Sequence, residues 1–230
     1  MIGTRVIRSA RLSAERRRSP ERLALLLKGV VAAIVIAPLL AQTTPQPDWP
    51  KVEEETMRHY QAVLRLDTRN PPGNEHIVAE YVKQVLDKEG IPAQIVGSDA
   101  NRSNLIARLK GNGKKRPLLV MGHSDVVTVD EAKWKFPPFS ATRDGGYVYG
   151  RGTVDDKDNL TGALMTMILL KRLNVPLDRD VIFVSESGEE GTTGVGIGYL
   201  VRDHFADIDA EYCIALRPRT NSAMPFGSHP

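Results

Sequence analysis

The chain has 230 residues, 41% of them hydrophobic, a mean hydropathy of −0.26 and a formal net charge of +3. That is the profile of a soluble globular protein long enough for a substantial core. The positive charge is confined to the start: residues 1–28 hold eight Arg/Lys against Glu15 and Glu21, a net +6, so residues 29–230 carry −3. A nucleic-acid partner therefore has no electrostatic support, and the single cysteine, Cys213, excludes a disulfide framework and a thiolate zinc finger.

The basic start leads into an apolar stretch that Lys28 interrupts, leaving 13 unbroken residues, 29–41. A membrane-spanning helix needs about 20. Residues 1–41 therefore read as a signal peptide cleaved after Ala41, with a retained membrane anchor over 23–41 as the alternative. Either way the protein is expected to be exported, periplasmic or extracellular, and to meet a membrane only through this segment. The Pro-rich residues 42–50 read as a linker to the folded part.

From 51 to 66 the apolar residues Val52, Met57, Tyr60, Val63 and Leu64 recur at helical spacing. The segment TRNPPGNE stops that helix, because two prolines and a glycine cannot continue it. Asn74 is placed to cap the next helix, whose stripe is Ile77, Val78, Tyr81, Val82 and Val85 and whose end is Gly90. Three strands follow, AQIVG, NLIARLKG and PLLVMGH, then a long loop over 124–146 containing WKFPPFS. Loops of that length are usually functional. A helix over 159–173, the buried strand DVIFVSE, the helix GIGYLVRDHF and the strand AEYCIAL complete the pattern, with Cys213 expected to be a buried apolar residue. Alternating strands and helices predict an α/β fold with a mostly parallel central sheet and flanking helices.

Three polar clusters follow strand-like runs: His123 with Asp125, Asp155 with Asp156, and Glu189 with Glu190. Open α/β sheets bind ligands outside the carboxyl ends of their strands. Acidic groups gathered there repel one another unless a cation lies between them. Asp125 lies on the same face of an extended segment as His123 and can fix the imidazole tautomer. One of Asp155 and Asp156 is expected to cap the following helix instead of binding metal. GEEG in isolation is an ordinary solvated turn, with Glu190 as ligand and Glu189 as general base the sharper alternative. Carboxylates with a histidine suit zinc, manganese or cobalt.

With those clusters in this order, and with WKFPPFS followed by DGGYVYGRGTVDDK, residues 67–216 resemble the amino-terminal part of the co-catalytic di-zinc exopeptidases and deacylases. That family includes aminoacylase, acetylornithine deacetylase, succinyl-diaminopimelate desuccinylase and glutamate carboxypeptidase. The resemblance implies a zinc-exopeptidase-like catalytic domain over 51–216, two zinc ions (cobalt or manganese in their place) and hydrolysis of amide bonds in peptides or N-acyl amino acids. It implies that His123 binds one metal, Asp155 bridges both and Glu190 binds the second. Glu189 would be the base that takes a proton from the attacking water, and Asp125 the partner that orients His123. It also implies a cis peptide between Asp155 and Asp156.

The sequence departs from the family in two places. Asp158 stands where the family has glycine, an exchange expected to be tolerated. After Leu216 the family supplies a further carboxylate ligand, later a last histidine, and a lid or dimerisation domain. This sequence has RPRTNSAMPFGSHP. The expectation is a truncated or frame-shifted chain with a non-matching tail over 217–230, no family-type dimerisation domain, weak metal binding and poor catalysis. The competing readings are a non-catalytic remnant and an exported, membrane-tethered module whose acidic crevice holds a cationic ligand.

Overall fold

The computed structural model describes residues 46–215. The signal or anchor segment, residues 42–45 of the linker and the tail over 217–230 lie outside them. Helix α1 (Trp49–Leu64) begins two residues before the expected start, with Pro50 in its first turn, where a missing N–H costs nothing. After it come β1 (Arg69–Asn70), α2 (His76–Lys88), β2 (Ala93–Val96), β3 (Asn104–Leu109) and β4 (Leu118–His123). The stretch read as one long loop holds β5 (Val126–Val127), a short 3-10 turn and β6 (Thr142–Asp144), and β6 pairs with β7 (Tyr147–Tyr149) in a hairpin. Helix α3 (Lys157–Arg172), β8 (Val181–Glu186), α4 (Ile197–Asp203), α5 (Phe205–Ile208) and β9 (Tyr212–Ala215) follow.

The central sheet has the order β2-β3-β8-β4-β9. The β8–β4 and β4–β9 pairs are parallel, while β3 runs antiparallel to both β2 and β8. Only β3 is reversed, so the carboxyl ends of β4, β8 and β9 share one edge. The two central strands explain the continuous apolar runs in the sequence: all six residues of β8 are buried, as are five of the six in β3. Helices α1, α2 and α3 cover one face through Val63, Val82, Leu86, Leu164 and Ile168 against Leu105 and Phe183. On the other face Leu200 and Ile208 pack on Ile106, Ile182 and Val184. Each such side chain contributes roughly 1.5–3 kcal/mol by leaving water.

Two local expectations are corrected. Asn74 does not cap α2; Glu75 occupies the cap position and makes no side-chain cap, because its carboxylate is buried against Arg102. Cys213 is exposed, not buried. Among the described residues strand β9 is the sheet edge, paired only with β4, and its four residues are all exposed. Among the described residues no helix is long and apolar enough to cross a membrane.

Candidate metal centre

Strand β4 ends on His123, whose ring is buried at the carboxyl edge of the sheet. Its Nδ1 donates to the Asp125 backbone carbonyl at 3.0 Å, and the Asp125 carboxylate stands 3.4 Å away, a charge contact and not a good hydrogen bond. Asp125 thus orients the ring mainly through its backbone. That bond turns Nε2 outward, 2.9 Å from Asp155 Oδ1 and 3.8 Å from Glu189 Oε2. Burial works against a charge on His123, but Asp125, Asp156 and Asp155 outweigh it and raise the pKa to about 10. Without a cation the ring is an imidazolium that pairs with these carboxylates.

Asp155 arrives on the loop before α3, and the Asp155–Asp156 peptide is cis, as the resemblance implies. Asp156 stands at the cap position of α3 but makes no side-chain cap. Its Oδ2 instead accepts the His123 N–H at 3.1 Å, and its Oδ1 accepts the Asn159 amide at 2.6 Å. Burial raises its pKa to about 6. This approach needs Gly122, where an added Cβ would lie 2.8 Å from Asp156 Oδ2. Lys157 is fully buried, and its ammonium donates to the carbonyls of Val63 at 3.2 Å and Leu66 at 2.6 Å. The loop carrying Asp155 is thereby fastened to the end of α1.

Glu189 and Glu190 lie on the turn after β8. One ligand atom from each of His123, Glu189 and Glu190 falls within 4.8 Å of the others. Burial raises the Glu190 pKa, and the nearby Asp155 carboxylate adds to the shift. The structure groups His123 with Glu189 and Glu190 and sets Asp155 against the His123 ring, outside that group, with Asp125 behind His123. Two ligands of one tetrahedral zinc stand ~3.4 Å apart, so the 2.9 Å between His123 and Asp155 opens to that spacing with a sub-ångström movement. A histidine among carboxylates is a donor set that zinc, manganese and cobalt accept. The residues fit a metal.

Residues outside the three clusters hold the turn in place. The Asp125 carboxylate accepts the Glu189 N–H at 3.1 Å and the Glu190 N–H at 3.0 Å. Asn70 donates to Asp125 Oδ2 at 2.9 Å and to the Glu190 carbonyl at 3.1 Å. Glu75, paired with Arg102 at 2.7 Å, accepts the Gly188 N–H at 3.1 Å, and Asn104 accepts the Ser187 N–H at 2.9 Å. Gly188 has φ +70, and an added Cβ would meet the Thr192 carbonyl at 2.7 Å. Within TRNPPGNE, expected to stop one helix and cap the next, Asn70 and Glu75 carry roles that the pattern did not assign. The available signal was two polar side chains flanking prolines that have no N–H of their own to bond.

The described residues form an open α/β sheet with a histidine and carboxylates at its carboxyl edge. Residues 119–224 match the profile of Peptidase family M20/M25/M40. The fold of the described residues is similar to part of the catalytic domain of M20 family peptidases. It is 36% identical over 144 residues to N-formyl-4-amino-5-aminomethyl-2-methylpyrimidine deformylase of Halalkalibacterium halodurans, covering 61% of this chain and 34% of that protein. It is 33% identical over 173 residues to a probable succinyl-diaminopimelate desuccinylase of Staphylococcus epidermidis, covering 74% and 41%. Among solved structures, an M20 family metallo-carboxypeptidase from Sulfolobus solfataricus superposes with a TM-score of 0.63 at 26% identity, covering 70% of this chain and 37% of that one. The chain thus spans about a third to two fifths of the length of the curated relatives it matches.

Proposed function

We propose that this chain is the metal-binding part of an exported hydrolase that cleaves amide bonds in peptides or N-acyl amino acids. The observation that carries the reading is the grouping of His123, Glu189 and Glu190 at the carboxyl edge of the sheet, with Asp155 against the His123 ring. His123, Asp155 and Glu190 would hold the metal, two zinc ions or cobalt or manganese in their place. Zinc there supplies Lewis-acid polarisation of the scissile carbonyl and a water of lowered pKa.

The chain's own residues supply the rest. Glu189 Oε2, 3.8 Å from His123 Nε2, is placed to take the proton of the attacking water and return it to the leaving amine. Beside it lies a cavity of about 230 Å³ lined by Met121, Ile197, Thr193 and Ala215 together with His123, Glu186 and Glu189. Its apolar wall suits a small acyl or side-chain group of the substrate. Export is supported by the basic start and the 13-residue apolar run.

The test is to measure zinc bound by the purified chain and hydrolysis of N-succinyl, N-acetyl and N-formyl amino acids and of dipeptides. Weakly bound zinc that His123→Ala removes, with little hydrolysis from this part of the hydrolase alone, is the expected result. A chain that binds no zinc would overturn the reading.

A further inference from the structure

Asn70 lies 120 residues from Glu190 in sequence, yet its amide reaches the Glu190 backbone. Strand β1 places it there by pairing in parallel with β5, Asn70 opposite Val127, directly beyond Asp125. The side chain is 5% exposed, so its two N–H donors need partners inside the protein. Its nitrogen stands 2.9 Å from Asp125 Oδ2, 3.1 Å from the Glu190 carbonyl and 2.8 Å from Thr192 Oγ1. Asp125 in turn accepts the N–H groups of Glu189 and Glu190. Both peptide groups flanking the Glu190 Cα are therefore held, one through its N–H by Asp125 and the next through its carbonyl by Asn70, and Asn70 joins the two grips.

We infer that Asn70 is a positioning residue: it fixes the backbone of the Glu189–Glu190 turn, and through it the aim of both carboxylates at His123. The inference rests on the metal-site reading above and extends it to a side chain that touches no metal. An aspartate at this position has the same shape but neither donor, and it would set a carboxylate against Asp125 and the Glu190 carbonyl. An alanine removes both donors and adds no charge.

The experiment has two arms, one of them independent of metal. In the metal-free protein, amide exchange of Glu189 and Glu190 is compared with that of β8 in wild type, Asn70→Asp and Asn70→Ala. The two turn amides are expected to exchange about tenfold faster in the variants while the β8 amides are unchanged. In the second arm Co²⁺ is titrated and followed by its visible absorption. Affinity is expected to fall about 10–100-fold, with a shifted band, as when an outer partner of a metal ligand is lost. Ile168→Val, which thins the fully buried core away from the turn, is expected to lower thermal stability without moving either readout. Unchanged turn exchange together with Co²⁺ affinity within twofold of wild type would overturn the inference. A wild type that binds no Co²⁺ sinks the metal-site reading instead, and the exchange arm alone then decides the role of Asn70. Should Asn70→Asp not fold, Asn70→Ala decides both arms.

Discussion

His123 Nε2 and Asp155 Oδ1 stand 2.9 Å apart across 32 residues of sequence, joining the end of β4 to the loop before α3. Their contact is the narrowest point of the candidate centre, with Glu189 next to it. His123→Ala or Asp155→Asn should therefore weaken zinc binding by more than the roughly 10–100-fold that loss of an outer partner costs. Isothermal titration with zinc checks this, and affinity close to wild type in either variant would remove that residue from the ligand set.

Glu189 can act in either of two ways, since its carboxylate also lies within ligand distance of His123 and Glu190. Glu189→Gln keeps the shape of the side chain and removes its basicity. As a general base, the variant should bind zinc nearly normally and lose about 10²–10⁴ in turnover. Zinc content and kcat measured on one preparation decide the matter: lost zinc would make Glu189 a ligand, and retained turnover would show that it is not the base.

Glu75 is fully buried, paired with Arg102 and bonded to the Gly188 N–H. Glu75→Gln leaves the Arg102 charge buried without its counter-ion, which typically costs about 3–5 kcal/mol. Urea unfolding should show that loss in the midpoint. A loss below about 1 kcal/mol would mean that water compensates Arg102.

Arg172 on α3 bonds to Glu55 on α1 at 2.6 Å and to Glu89 beyond α2 at 2.6 Å. Its bond to Glu55 outweighs partial burial and holds that carboxyl below 4.5. A folded-state pKa below the unfolded one stabilises the protein above the unfolded value, and the benefit is lost as pH falls through the lower, folded value. Arg172→Gln should therefore be less stable than wild type at pH 7, and the gap should close below about pH 4. Unfolding midpoints from pH 7 to pH 3 check the sign; a gap that widens in acid would contradict the assignment.

By itself the sequence placed the helices and most strands, and it named His123, Asp155, Glu189 and Glu190. Those signals are local. Helical and strand periodicities repeat within a dozen residues, and each polar cluster sits directly after its own apolar run, so strand and site residue are read together. The reversed β3, the insertion of β8 between β3 and β4, and the exposed edge that leaves Cys213 in solvent were decided only by tertiary pairing. So were the roles of Asn70 and Glu75. These side chains bond backbone groups 120 and 113 residues away, and any turn presents such N–H and C=O groups whatever its residue types. A backbone donor or acceptor leaves no mark in the sequence of its partner, and only the folded chain shows which side chain reaches it.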